Sequence, residues 1–180
     1  VETALQFLPG LSVEELALPL ARHYFSSGEF GQALPFYQRA LAVAPDSVAD
    51  VLMEVATAYE EAGDCMRALT LFERYRELVR PWGRSEVDWH IGTCSFALGR
   101  QSRVDGEGEE ALQLVNRTIE VGEPRNILPQ VWFERGGILS EMGECDGAVE
   151  AYRMVRALDP ASTGALVRRA EERIDELRFG

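Results

Sequence analysis

The stretch GEFGQALPFYQRALAVAP, residues 28–45, decides the fold because the chain repeats it. Residues 143–160 read GECDGAVEAYRMVRALDP and keep the same Gly, Glu, Ala, Tyr and Pro at a displacement of 115 residues. Two weaker copies lie between them and begin at Gly63 and Gly106, so successive anchor glycines are 35, 43 and 37 residues apart. A period in this range is typical of a solenoid, in which each repeat is one small unit of secondary structure.

Each copy has the pattern of two helices joined at the glycine. The glycine supplies a turn with positive φ, and an alanine five residues later lets the second helix approach the first. In three copies an aromatic residue follows one turn later on the same face, and a proline ends the second helix. These residues are Ala33, Ala68, Ala111 and Ala148, then Tyr37, Phe72 and Tyr152, then Pro45, Pro81, Pro124 and Pro160.

This pattern resembles the tetratricopeptide repeat family. The first repeat carries the resemblance best, at Leu20, Ala21, Tyr24, Gly28, Ala33, Tyr37, Ala40 and Pro45. The resemblance implies an all-α, right-handed superhelical solenoid of antiparallel helix pairs, with repeats at 14–47, 49–82, 85–127 and 129–162. Residues 1–13 are then a lead-in segment. Residues 163–180 are a capping helix, because Leu166, Ala170, Ile174 and Leu177 recur at helical spacing.

Two glycines compete for the turn of the third repeat. Gly99 and Gly106 are seven residues apart, which is almost two helical turns. The spacing predicts one long helix from about Ser85 to Arg103, and the alternative is a loop that begins at Gly99. The insertion is either tolerated without a function or forms a lip at the rim of the solenoid. In the first repeat, Pro19 predicts a kink or a late helix start.

The composition argues against several function classes. A formal net charge of −12 repels nucleic acid and anionic bilayers, and the 18 basic residues are all Arg, as in many GC-rich bacterial genomes. Cys65, Cys94 and Cys145 have no metal-site spacing and are expected to be buried, unpaired thiols, which favours a cytoplasmic location and leaves a periplasmic one open. His23 and His90 have no neighbour that would tune them for proton transfer. We therefore expect no catalytic residue, no metal and no cofactor.

The resemblance also implies where a partner binds. In this family the first helix of each pair is called helix A, and its residues at repeat positions 2, 5, 9, 12 and 13 line a concave groove. The residues of this chain predicted to bind a protein or peptide there are Leu18, Arg22, Phe25, Met53, Thr57, Glu60, Trp89, Thr93, Phe96 and Phe133. Their apolar members form a stripe bordered by acids, which favours an apolar helix or extended segment with basic flanks. Relatives that clamp chaperone tails use Lys and Asn at positions 5 and 9, whereas Leu18, Met53 and Trp89 occupy position 5 here.

The sequence thus favours a non-catalytic scaffold or adaptor that binds another protein. Two alternatives stay open. The chain is a regulatory or recruitment domain of a larger enzyme, or it is a self-associating assembly module.

Overall fold

Helices account for all of the regular structure in the part of the chain that is described. The computed structural model describes residues 13–43, 48–158 and 164–179, which divide between Arg80 and Pro81 into two units. The first unit holds α1 (Val13–Ser26), α2 (Phe30–Val43), α3 (Val48–Glu61) and α4 (Cys65–Leu78). The second holds α5 (Ser85–Val104), α6 (Gly108–Val121), α7 (Leu128–Glu141), α8 (Cys145–Leu158) and α9 (Ala165–Phe179), with short 3-10 helices at Pro81–Gly83 and Arg125–Ile127.

The anchor glycines join the helices into four antiparallel pairs, as the sequence predicts. Gly28, Gly63, Gly106 and Gly143 have φ of 75°, 83°, 83° and 81°. In each turn the residue after the glycine donates its N–H to the carbonyl five residues back, at 2.8–2.9 Å. This bond satisfies a carbonyl at the end of the first helix of the pair. Left-handed backbone costs an L-residue about 1–2 kcal/mol, which is why glycine stands at these positions.

The small and aromatic positions form the contact between the two helices of each pair. Ala33, Ala68, Ala111 and Ala148 are fully buried. Tyr37 and Phe72 are also fully buried, and Tyr152 is 3% exposed. In the third pair Val115 takes the aromatic position and is fully buried as well. Full burial of such a side chain stabilises the fold by about 1.5–3 kcal/mol, so the repeated pattern holds each hairpin together.

The long helix predicted in the third repeat is confirmed. Helix α5 runs for 20 residues, against 14 for its partner α6, and the turn lies at Gly106. Gly99 lies inside α5 and is buried, so the alternative of a loop beginning there is wrong. A Cβ at Gly99 would lie 3.0 Å from Val115 Cγ2, and so glycine permits the close approach of α5 and α6.

Three details of the sequence analysis need correction. Of the two alternatives predicted at Pro19, the late helix start is wrong, because helix α1 begins at Val13 and includes Pro19. Helix α6 ends at Val121, because its C-cap Gly122 has a φ of 70°, and so the helix stops before it reaches Pro124. Of the three cysteines only Cys94 is buried, whereas Cys65 is half-buried and Cys145 is exposed, and no disulfide joins them. The expectation of three buried thiols is therefore wrong.

The last helix packs as its apolar pattern predicts. Ala170 is buried, and Leu166, Ile174 and Leu177 pack on a cluster of α7 and α8 side chains that includes Tyr152 and Val155. Val167 is buried there too, although the sequence analysis did not single it out. Residues 1–12 of the lead-in predicted at 1–13 lie outside the described residues, and so do Pro45 and Pro160.

Candidate binding surface

The first unit carries six of the predicted binding residues on α1 and α3. Leu18, Phe25 and Met53 are half-buried, and Phe25 packs edge-on against the rings of Phe30 and Tyr37, with centroids at 5.3 and 6.3 Å. Thr57 is also half-buried, and its hydroxyl donates a hydrogen bond to the carbonyl of Met53 at 2.8 Å. Part of the predicted apolar stripe is therefore used for packing within this unit. Arg22 is exposed and Glu60 is half-buried.

Arg22 links α1 to α3 through an acid that the sequence analysis did not single out. Its Nη2 lies 2.8 Å from Glu54 Oε1 and its Nε lies 3.0 Å from Glu54 Oε2, a two-pronged contact. The Tyr37 hydroxyl donates to Glu54 Oε2 at 3.0 Å. Burial and then this carboxylate raise the pKa of Tyr37 well above its ordinary value. The charge of Arg22 is thus matched within the protein.

In the second unit, three predicted residues line one cavity, which we call the Trp89 cavity. It has a volume of about 380 Å³ and is lined by Trp89, Thr93, Phe96, Ala97, Arg100, Pro124, Asn126 and Ile127. Trp89 is 46% exposed, and Phe96 is half-buried under the Arg100 guanidinium, 6.0 Å from the ring centroid. Thr93 donates its hydroxyl to the carbonyl of Trp89 at 2.8 Å. A cavity of this volume has room for a large side chain.

Phe133 lies in a different cavity, the Phe133 cavity, among α7, α8 and α9. Its volume is about 390 Å³, and its lining is Arg103, Phe133, Glu134, Gly137, Ser140, Glu141, Tyr152, Arg169, Arg173, Glu176 and Leu177. The Phe133 ring packs against Tyr152, with centroids at 5.3 Å, and the Arg169 guanidinium stacks over it at 4.9 Å. The structure thus brings Trp89, Thr93 and Phe96 together and places Phe133 apart from them.

The additional length of α5, which is six residues longer than α6 and α7, places Arg103 against α7. The Arg103 guanidinium contacts Glu134 at 2.7 Å and Glu141 at 2.6 Å, and it lies against Gly137, where a Cβ would come within 2.5 Å of it. The hydrogen bond from Arg103 lowers the pKa of Glu141. Sequence reasoning missed this clamp, although the spacing of Glu134, Gly137 and Glu141 along one face of α7 was a usable signal.

The described residues contain no group of three His, Cys, Asp or Glu side chains arranged to hold a metal ion. None of the helices they form has the length and apolar character needed to cross a membrane.

Antiparallel helix pairs with left-handed glycine turns define a helical-repeat protein. The family model described as "Tetratricopeptide repeat" matches residues 12–80. A crystal structure of MamA protein shares 19% identity, covers 92% of this chain and 86% of its own, and has a TM-score of 0.52. A second MamA structure shares 20% identity over 88% of this chain and 82% of its own, with a TM-score of 0.50. No curated protein matches the sequence significantly.

Residues 12–80 match the tetratricopeptide repeat family, as the sequence predicts, and the described chain has the all-α helical-repeat fold. The family match covers the first unit, and the likeness to MamA shows the fold. Proteins of this family are in general scaffolds for protein–protein interaction and are typically non-catalytic.

Proposed function

We propose that this protein is a non-catalytic scaffold that binds a segment of another protein on the helix-A face, with the Trp89 cavity as the main anchoring site. One observation carries the proposal. Trp89, Thr93 and Phe96 come from successive turns of α5, and all three line the same open cavity. A tryptophan that keeps 46% of its surface exposed beside an apolar cavity is a typical anchor for a partner side chain.

The lining of the Trp89 cavity favours contact with an apolar side chain of the partner. Its lining includes the apolar side chains of Phe96, Pro124 and Ile127, and the Thr93 hydroxyl already donates a hydrogen bond to the helix backbone. This part of the lining therefore favours an apolar guest. A large aliphatic or aromatic side chain that becomes fully buried there contributes about 1.5–3 kcal/mol.

The charge of the protein favours basic residues on either side of that anchor. Because the formal net charge is −12, the surface attracts a cationic partner that comes within about one Debye length of it. Such attraction raises the association rate and weakens as salt is added. We therefore expect the bound segment to combine one large apolar residue with Arg or Lys nearby.

Selection of displayed random peptides against the purified protein tests the proposal. We expect selected peptides to share an apolar residue flanked by basic ones. Trp89→Ala should weaken them about tenfold or more, since truncation of a central anchor residue commonly costs about 2 kcal/mol. Fluorescence anisotropy of a labelled peptide measures this loss.

Trp82→Ala is the matched control, because Trp82 is 79% exposed and does not line the cavity. It should bind the selected peptides as the parent protein does. Equal affinity in both tryptophan variants would contradict the proposal. Light scattering over a concentration series tests whether a second copy of the protein occupies the cavity. If the protein associates as its concentration rises and Trp89→Ala abolishes this association, the occupant is a second copy and not a peptide of another protein.

A further inference from the structure

We propose that two copies of this chain associate through α9, with the two helices antiparallel about a two-fold axis and Arg168 of each copy paired with Asp175 of the other. No residue of α9 lines the Trp89 cavity, so this surface is separate from the proposed peptide site. The association therefore goes beyond the proposed function.

One side of α9, which we call the outer face, is exposed along the length of the helix. It carries Arg168, Glu172, Asp175 and Phe179, whose spacing of four, three and four residues places them on one side of a helix. All four are exposed, and Phe179 keeps 85% of its surface accessible. The two buried residues of α9 lie on another side, within the cluster formed by α7 and α8. No helix of the described ranges therefore covers the outer face.

Two charges of the outer face have no counter-ion in the described part of the chain. Arg173 of the same helix contacts Glu176 at 2.7 Å, whereas Arg168 and Asp175 form no ion pair with any described residue. They also cannot pair with each other, because seven residues of helix separate them by about 10 Å. Each is therefore available to a charge on a second molecule.

The order of these charges favours an antiparallel pair of helices. In a parallel pair each residue would face its own copy, so that Arg168 meets Arg168 and Asp175 meets Asp175. In an antiparallel pair centred between Glu171 and Glu172, each Arg168 faces the Asp175 of the other copy, and the two-fold axis gives the contact twice. The two Glu172 side chains then approach each other near the axis, which is the unfavourable element of the pair.

An apolar groove beside the outer face has room for Phe179 of the second copy. It lies between α8 and α9 and has a volume of about 330 Å³, and its lining includes Ala157, Val167, Ala170 and Ile174 together with the ion pair of Arg156 and Glu171. In the antiparallel register, Phe179 lies at the level of Gly164 of the other copy, about one helical turn from Val167. Exposed ion pairs contribute little by themselves, so burial of the Phe179 ring supplies most of the affinity.

The small size of this interface predicts a weak dimer. Helix α9 has 15 residues and is about 22 Å long, so contact along one face and one groove buries less than the roughly 1,200 Å² of a stable interface. Each copy also carries a formal net charge of −12, and the repulsion between copies weakens association further. We therefore expect a reversible dimer that forms above about 10 µM protein.

A charge exchange between two variants tests the register. Sedimentation velocity from about 10 µM to about 1 mM protein measures the association. Arg168→Asp and Asp175→Arg should each weaken it about tenfold or more, because each variant sets like charges opposite one another. An equimolar mixture of the two variants should form dimers again, since opposite charges then face each other at both contacts.

The mixture and the parent protein give the results that would overturn the proposal. Two variants that stay monomeric when mixed, although each is folded by circular dichroism, would rule out the pairing of Arg168 with Asp175. A parent protein that stays monomeric over the whole concentration range would leave the outer face to a different protein, and it too would refute the dimer.

Two further variants separate the outer face from general effects of charge. Arg39→Asp is the matched control, because Arg39 is exposed on α2 in the first unit and undergoes the same change of charge. It should associate within about twofold of the parent, whereas Phe179→Ala should weaken the dimer about tenfold. An equal loss in Arg39→Asp and Arg168→Asp would refute the interface, and full association of Phe179→Ala would contradict the placement of the ring.

This proposal and the proposed function fail separately. Trp89→Ala should associate as the parent does, and Arg168→Asp should bind the selected peptides as the parent does, because the two residues lie on different surfaces. Loss of association in Trp89→Ala would place the second copy in the Trp89 cavity and contradict the α9 interface.

Discussion

Replacing Gly136 with alanine would drive a methyl group into the ring of Tyr152. An ideal Cβ at Gly136 lies 2.7 Å from Cδ1 and Cε1 of that ring and 2.9 Å from Cζ. Ordinary contact begins at 3.4 Å, so α7 and the ring must separate by about 0.7 Å. The ring cannot move freely, because it is 3% exposed and packs on Phe133.

Two opposing terms set the size of the effect. Overpacking of a filled core typically costs about 1–3 kcal/mol. Alanine in the middle of a helix returns at most about 1 kcal/mol relative to glycine. We therefore expect Gly136→Ala to lower the free energy of unfolding by up to about 2 kcal/mol.

Urea denaturation followed by circular dichroism measures this loss as a lower midpoint. Gly31→Ala in α2 is the matched control, because Gly31 is exposed and a Cβ there has no heavy atom within 4 Å. Only helix propensity acts at that site, so the control should raise the midpoint. If Gly136→Ala raises it as well, the Tyr152 ring is not fixed behind Gly136 and the reasoning is wrong.

Three further predictions concern charges and thiols. Arg103→Met should destabilise the protein by about 1–2 kcal/mol in denaturant melts. The same variant should raise the pKa of Glu141, because Arg103 lowers that pKa in the parent protein. In the parent, the contribution of Glu141 to stability is present at neutral pH and is lost as the pH falls through its lowered pKa. An NMR titration of the carboxyl groups that showed the same Glu141 pKa in both proteins would contradict the contact. Tyr37→Phe should lower the free energy of unfolding by about 1–2 kcal/mol at neutral pH. Because folding raises the pKa of Tyr37, this difference in stability between parent and variant should decline and vanish as the pH rises above about 10, where tyrosine in the unfolded chain ionises. A difference that stayed the same at alkaline pH would contradict the hydrogen bond. Cys145 should react with a thiol reagent in the native protein, and Cys94 only after unfolding, so a fast native reaction at Cys94 would contradict its burial.

The sequence predicted the hairpins because their signals are local. A glycine with positive φ, an alanine five residues on and an aromatic residue one turn later define one helix pair without reference to any other. The same reasoning placed the long helix at 85–103, close to the observed Ser85–Val104, since a seven-residue insertion preserves the buried face.

The candidate site was harder to predict from sequence. The expected groove included Trp89, Thr93 and Phe96, which share a cavity, but it also included Phe133, which lines another. Repeat positions give the face of a helix to which a residue belongs. They do not show whether a cavity forms beside that residue, because the space left between helices depends on the side chains of several hairpins at once.

By itself the sequence determined the helix pairs, their turns and the alanines and aromatic residues that join them, because each of these features follows from backbone geometry and short-range spacing. The tertiary structure alone decided which charges meet. Arg22 pairs with Glu54, and Arg103 pairs with Glu134 and Glu141, across gaps of 31 to 38 residues. Arg169 was left to face a cavity instead. Such pairings depend on the distance between helices of different hairpins, which no local periodicity encodes.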